Sequence, residues 1–257
     1  MIYDCFTFFN ELELLELRMS VMGDAVDYFV LVESTRTFTG KPKELFYENN
    51  KDKFDNSKII HVIVNDSPID KPTSIHSEAK QNEAYQRECM RKGLVDANDD
   101  SIIIISDVDE IVNMDTVIKN LPLLKRKPYF SLDQKLFYYY VNFYLKFWPG
   151  PVVCKYKNVK SFERFRNKRF RRRCPDGGWH YSYLGGVESI KTKISSYAMT
   201  TLDIPRYTSY ENIENSLKTG KDLFGRRKDC SIVDLDGNSH KYMKDFVKKY
   251  PYFLKEQ

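Results

Sequence analysis

Four consecutive isoleucines, Ile102 to Ile105, run straight into Ser106-Asp107-Val108-Asp109-Glu110, and no other feature of the chain restricts its fold as much. A continuous run of β-branched residues predicts a strand buried on both faces, which is how strands sit in parallel sheets covered by helices. Carboxylates just beyond the end of such a strand fall where open α/β sheets bind their ligands. On extended backbone, residues i and i+2 point the same way, which would put Asp107 and Asp109 on one side. Two carboxylates so placed can hold a hard divalent ion, Mg²⁺ or Mn²⁺, and leave positions for water and a diphosphate. The alternative is that Asp109 caps a helix over Asn113 to Leu121, with Glu110 favouring its dipole.

The neighbouring sequence agrees with an α/β reading. Met1 to Phe6 predicts a short strand, and Asn10 a cap for a helix whose Leu12, Leu15, Met19 and Met22 share a face up to Gly23. Tyr28 to Val32 and Ile59 to Val64 read as further buried parallel strands, and 75–92 as a helix stopped by Gly93. Near residue 128 the text changes to long aromatic runs, Tyr129 to Leu132 and Leu136 to Phe147, interrupted by Trp148-Pro149-Gly150-Pro151. Three helical stripes close the chain: Val187, Ile190, Ile194 and Tyr197, then Tyr210, Ile213 and Leu217, then Tyr242, Phe246 and Lys249. The expected architecture is one domain over 1–257, with 1–127 and 128–257 sharing a mixed, mostly parallel sheet flanked by helices. With 42% apolar residues, 17 Phe and 18 Tyr, the chain is too apolar to remain disordered.

Two further segments carry candidate chemistry. In Gly177-Gly178-Trp179-His180-Tyr181-Ser182 the glycines permit close backbone approach, and Trp179 and Tyr181 offer flat faces for a sugar ring. His180 is a candidate third metal ligand or phosphate donor, or else a core histidine. Glu188, at the start of a helix, is a candidate proton acceptor or a dipole partner. The second segment, 155–173, holds ten Lys/Arg against Glu163, so the formal net charge of +5 is a local patch and the rest of the chain is net negative. Such a patch suits a local anion. Phe162, Arg164, Arg166 and Lys168 alternate as on an edge strand, from which one or two arginines would reach a diphosphate. A nucleic-acid surface is the rival reading of the patch. A metal-dependent phosphohydrolase is the rival for the carboxylates, although the four histidines are dispersed. The five cysteines form no Cys-x-x-Cys pair and suit buried thiols in a reducing compartment. No window approaches the roughly 18 apolar residues of a membrane span, and the first residues do not read as a signal peptide, so the expected location is the cytoplasm.

Ile2-Tyr3-Asp4-Cys5-Phe6-Thr7-Phe8-Phe9-Asn10-Glu11-Leu12-Glu13-Leu14-Leu15-Glu16-Leu17-Arg18, then Ser106-Asp107-Val108-Asp109-Glu110-Ile111, then Gly178-Trp179-His180-Tyr181-Ser182, and Gly220-Lys221-Asp222-Leu223-Phe224, resemble glycosyltransferase family 17, the family of the β-1,4-mannosyl-glycoprotein 4-β-N-acetylglucosaminyltransferases. The resemblance runs nearly end to end. It implies a GT-A type, Rossmann-like fold, a nucleotide-sugar donor such as UDP-GlcNAc, a glycan acceptor, a divalent metal (Mn²⁺ or Mg²⁺) and inversion at the anomeric carbon. By it 1–127 becomes the donor half and 128–257 the acceptor half. Asp107 and Asp109 match the family's acidic motif, and Glu11, Glu13 and Arg18 its N-terminal signature. Ser106 departs from an extra acid in the animal enzymes, and their membrane anchor and stem have no counterpart in this sequence. Glu188, Asp107 and Asp109 are then the candidate catalytic residues, with Asp107, Asp109 and His180 as metal ligands. Donor-lining candidates are Phe6, Thr7, Asn10, Glu11 and Arg18 around the first strand's end, Glu33 after the second, and Arg87. Asp107, Trp179 and His180 complete that set. The acceptor, whether an N-glycan or a bacterial or viral surface glycan, is left open.

Overall fold

The parallel half of the sheet forms where the sequence is most continuously apolar. The computed structural model describes residues 1–226, 229–237 and 239–256. Strand β1 (Ile2–Phe8) lies between β2 (Tyr28–Ser34) and β4 (Ile102–Asp107), parallel to both, with β3 (Ile59–Val64) parallel at the edge beyond β2. Ile103, Ile104 and Ile105 are fully buried, as β-branched side chains covered on both faces should be. Registers Thr7 to Asp107 and Phe8 to Glu33 bring the carboxyl ends of the three strands level.

Helix α1 (Leu12–Met22) sinks between two apolar clusters. Leu15 and Met22 pack with Phe6, Phe8 and Phe29, whereas Leu14 and Leu17 pack with Phe246 and Phe253. Asn10 does not cap it. Glu11 occupies that position and accepts from the Phe9 and Asn10 N–H groups at 3.3 and 3.1 Å, while Glu13 turns to the Tyr252 hydroxyl. Helix α2 (His76–Glu88) buries a polar face instead: Asn82, Glu83, Gln86 and Arg87. Gln86 donates to the Val32 carbonyl at 2.8 Å, and Asn82 to those of Phe38 and Ile69, so loop and strand backbone satisfies these two amides.

Beyond β4 the chain makes β5 (Glu110–Val112) and α3 (Met114–Asn120), whose cap is Asn113, accepting from the Asp115 N–H. Asp109 therefore has no capping duty. Next come β6 (Tyr129–Tyr138) and β7 (Phe143–Lys155), an antiparallel hairpin that turns at 139–142, where Tyr139 has a positive φ of 69°. The predicted break at Trp148-Pro149-Gly150-Pro151 lies inside β7. Its prolines sit beside a register shift between Ser131 and Asp133, where the missing donors break no regular ladder. Strand β7 pairs antiparallel with β4 and so joins the two halves in one sheet.

The expected edge strand over Phe162 to Lys168 is instead a short helix, α4 (Phe162–Arg166), continued by a 3-10 turn. Ser161 caps it by accepting from the Arg164 N–H, and Phe162, Phe165 and Arg166 share the buried side at helical spacing. After the two-residue β8 (Arg173–Cys174), β9 (Gly178–Ser182) runs parallel to β6 and antiparallel to β5. Gly178, at φ +123°, lets β9 approach closely, since a Cβ there would sit 2.2 Å from the Ile111 carbonyl oxygen. Among the described residues the main path is β3-β2-β1-β4-β7-β6-β9-β5. The sheet is mixed and not mostly parallel, because short turns such as that of β6–β7 join antiparallel neighbours where parallel pairing needs long crossovers. Helices α5 (Gly186–Ser196), α6 (Pro205–Thr208), α7 (Tyr210–Thr219) and α8 (Met243–Lys249) follow, with the two-residue β10 (Ser231–Ile232) on β7. No described helix is long and apolar enough to cross a membrane.

Candidate functional site

The turn from β4 into β5 is built around one arginine. Arg18, fully buried, grips Asp4 through Nε and Nη2 at 2.6 Å each. Its Nη1 donates to the carbonyls of Asp107, Val108 and Glu110 at 3.0, 3.1 and 2.9 Å, and Nη2 also reaches the Ser106 hydroxyl. Three carbonyls aimed at one cation fix the backbone that carries both aspartates, and the Phe6 ring lies 4.4 Å from the guanidinium carbon. Arg18 and Phe6, predicted to line the donor crevice, form its floor support instead. They are too deeply buried to touch a ligand, because Asp4 needs a buried counter-charge.

Above this floor lies a cavity of about 360 Å³, lined by the ends of β1 and β4, the loop at 36–43, α2, β9, α5 and the segment 166–169. Among the described residues, seven Arg/Lys side chains face four carboxylates: Arg36, Lys43, Arg87, Arg166, Arg169, Lys193 and Arg226 against Glu11, Glu83, Asp107 and Asp109. The two aspartates are not a matched pair. Only Asp107 is on the strand, Asp109 lies in the turn, and each has its own cations. Asp107 accepts from Arg87 at 3.2 Å and from Arg166 at 2.9 Å. Burial disfavours its charge, but Arg166 and Arg87 outweigh that and hold its carboxyl well below the usual carboxylate range. Asp109 accepts from Lys193 at 2.7 Å and has His180 Nε2 at 3.4 Å. Burial is again outweighed, by Lys193 and then His180, so this carboxyl also stays ionised.

Glu110, fully buried, anchors the same network. It accepts from the Asp107 N–H at 3.0 Å and pairs with Arg166 at 2.6 Å. The arginine side has spare capacity. Arg87, Arg166 and Arg169 each have an Nε–H without an acceptor, as does Trp148 Nε1, and His180 Nδ1 is unpartnered too. Side chains with unsatisfied buried donors line this cavity, and an oxygen-rich anion matches them.

A second cavity of about 300 Å³ adjoins the first, with Glu11 and Lys193 lining both. Its other walls are Asn10, Glu13, Leu14, Tyr181, Leu184, Gly185, Ser189, Tyr252 and Phe253.

Of the predicted residues, the structure gathers Thr7, Glu11, Arg87, Asp107, Asp109 and His180 around the first cavity, and Asn10 at the second. Glu33 is fully buried, with Lys43 at 3.4 Å and His61 at 3.2 Å, and lines neither. Trp179 faces His240, ring centroids 5.0 Å apart, and also lines neither. Glu188 is exposed on α5 outside both cavities. Of the basic patch, only Arg166 and Arg169 line the first cavity; Arg171, Arg172 and Arg173 are exposed. Lys193 was missed: it reads as an ordinary helix lysine, and the only hint is its place beside the buried Ile190 and Ile194.

The aspartates and His180 do not form a cage. Among the described residues no group of three or more His, Cys, Asp or Glu is placed to hold a metal ion. Asp109 and His180 do approach each other, and Mg²⁺-type ions commonly rest on one or two protein ligands plus substrate phosphates. Those two residues, with the unpartnered His180 Nδ1 as the spare group, fit such a site in part, whereas Asp107 is committed to arginines.

A family model described as glycosyltransferase family 17 matches residues 1–229. No curated protein matches the chain.

Proposed function

The chain belongs to glycosyltransferase family 17 and is a glycosyltransferase, and from that premise we propose that the 360 Å³ cavity binds a nucleotide-sugar donor, UDP-GlcNAc first among candidates. On this reading the fold is of GT-A type, and transfer to a glycan hydroxyl proceeds with inversion. The observation that carries the proposal is the row of unpartnered buried donors at Arg87, Arg166, Arg169 and Trp148 in a cavity with surplus positive charge. A diphosphate supplies the missing acceptors, and Arg166 and Arg169 can take its oxygens without releasing Asp107 or Glu110. The aromatic side chains in the lining, Tyr138, Tyr183 and Tyr197 among them, offer faces for the base or the sugar.

The chain's own cations can stabilise the leaving diphosphate as charge develops on it, since they are already oriented and largely desolvated. Asp109 holds Lys193 at the edge of the cavity, and Arg18 keeps the turn from yielding. A divalent ion, Mn²⁺ or Mg²⁺, would be held by Asp109 and His180 and would add charge neutralisation at the diphosphate.

The test is release of UDP from a panel of nucleotide sugars, before and after chelation. We expect UDP-GlcNAc to be turned over, with activity lost on chelation and restored by Mn²⁺ or Mg²⁺. Absence of turnover and of UDP binding across the panel would remove the donor assignment. Full activity after rigorous chelation would remove the metal alone.

A further inference from the structure

We propose that the second cavity, beyond Glu11 and Lys193, is the acceptor site, that it takes a neutral sugar residue, and that Glu11 accepts the proton of the attacking hydroxyl. The inference rests on the glycosyl-transfer reading above. In an inverting displacement the acceptor must approach from the side opposite the diphosphate, so donor and acceptor volumes must meet at a wall that carries the base. Glu11 and Lys193 are shared by the two cavities, 3.8 Å apart.

The other three carboxylates of the first cavity are occupied. Glu83 holds Lys80 at 2.5 Å and Arg87 at 3.2 Å, and Asp107 and Asp109 have partners within 3.2 Å. Glu11 keeps Oε2 on the Phe9 and Asn10 N–H groups, which fixes the carboxylate and leaves Oε1 toward the wall, with Lys193 as its closest cation. Lys193 itself, protonated and bound to Asp109, cannot take a proton.

The second cavity has the chemistry of a polyol site. Apart from Lys193 it offers no cation among the described residues, so it does not suit a phosphate. It offers the carboxylates of Glu11 and Glu13 as acceptors for hydroxyls, and Tyr252 and Phe253 as apolar faces for a ring. Tyr181, fully buried and in its lining, has a hydroxyl with no hydrogen-bond partner. A buried orphan hydroxyl is costly, and a sugar hydroxyl would satisfy it. The far wall is held in place: Tyr250 and Lys249 both bond Glu16, and the Phe253 carbonyl accepts from the Val141 N–H.

The step balances. The acceptor O–H gives its proton to Glu11 Oε1 while an oxygen lone pair forms the new bond to the anomeric carbon. The anomeric carbon–oxygen bond to the diphosphate breaks, and its electron pair leaves on the nucleoside diphosphate.

The test uses saturation-transfer NMR of methyl glycosides of mannose, galactose, glucose and N-acetylglucosamine, with UDP present, together with UDP-GlcNAc turnover. At least one glycoside should bind the wild-type chain. Ser189→Tyr, which fills the cavity from α5, should weaken it about tenfold or more, and Tyr181→Phe about threefold, the scale of one lost hydrogen bond. UDP should still raise the melting temperature of both variants, which shows the fold intact. Glu11→Gln should lower turnover about 100-fold or more with UDP affinity retained. A wild-type chain that binds UDP but no glycoside, or a Ser189→Tyr variant that binds glycosides undiminished, overturns the cavity. Full turnover by Glu11→Gln overturns the base. Failure of the wild type to bind UDP at all is a different result and strikes the donor reading instead.

Discussion

The two cavities are similar in size, about 360 and 300 Å³, and opposite in chemistry. Among the described residues the first gathers seven cationic side chains and unsatisfied N–H donors; the second has two carboxylates, aromatic faces and a buried hydroxyl without a partner. They are divided by a Glu11–Lys193 contact, a carboxylate from the start of α1 and an ammonium from α5. What separates them is therefore charge and not volume. On the proposed reading a polyanion is drawn to one side and a neutral polyol to the other, so charge sorts the two substrates.

The largest effect expected from breaking this arrangement comes from beneath the first cavity. Arg18→Met removes the partner of fully buried Asp4 and the donor to three turn carbonyls. Stranding a buried charge in this way costs roughly 3–5 kcal/mol, and the denaturant midpoint should fall accordingly. In the fraction that remains folded, UDP binding should suffer more than glycoside binding, because Asp107, Val108 and Asp109 of the turn line the first cavity and not the second. Equal losses on both sides would mean that the two cavities are not chemically independent.

Next in size is Asp109→Ala. It deletes the carboxylate that holds Lys193 and faces His180, and turnover should drop by about 10²- to 10³-fold, as when a preorganised electrostatic contact is removed. UDP release from UDP-GlcNAc is the measurement. Wild-type turnover would relocate the chemistry away from this aspartate.

How far the sequence revealed this arrangement depended on whether a residue's task was local. The strands β1 to β4 were legible because a continuous apolar run allows little besides a buried strand. The β6–β7 hairpin was not. Its turn is Tyr139-Tyr140-Val141-Asn142, which carries almost no turn chemistry, while the Pro-Gly-Pro that reads as a turn lies within β7. Alternation of Phe162, Arg164 and Arg166 suggested a strand, yet Phe162, Phe165 and Arg166 meet a helical period equally well, and burial chose the helix. In the site, Asp107 and Asp109 were visible because a strand end delivers them. Their separation into an arginine-bound and a lysine-bound residue was not, since both sets of partners arrive from distant segments. Tyr181 read as a flat face for a sugar ring, but only the packed structure shows that its hydroxyl lacks a partner.

The second cavity's backing should show itself in acid. His240 lies against Trp179 and Tyr181, with neither ring nitrogen hydrogen-bonded, and burial pushes its pKa down to about 4. Its folded-state pKa is below the unfolded value of about 6.5, so its contribution is whole above that pH and is lost as the pH falls toward 4. Fully protonating it costs roughly 3 kcal/mol. Thermal melts between pH 7 and 4 should fall for the wild type, and His240→Leu should flatten that part of the slope. A slope unchanged by the substitution would assign the acid sensitivity elsewhere.

The smallest effect expected is the most pointed test of the dividing wall. Glu188 and Lys193 share α5 but are five residues apart, which at 3.6 residues per turn sets them about 140° apart around the helix. With Lys193 turned to the cavities, Glu188 must face solvent, as it does. Glu188→Gln should leave UDP-GlcNAc turnover within about twofold and stability within about 0.5 kcal/mol, the range of ordinary surface changes. If this variant instead lost turnover while Glu11→Gln kept it, α5 would have to present its other face during the reaction. Lys193 would then leave the wall, and the charge boundary between the two cavities would be a property of the resting protein alone.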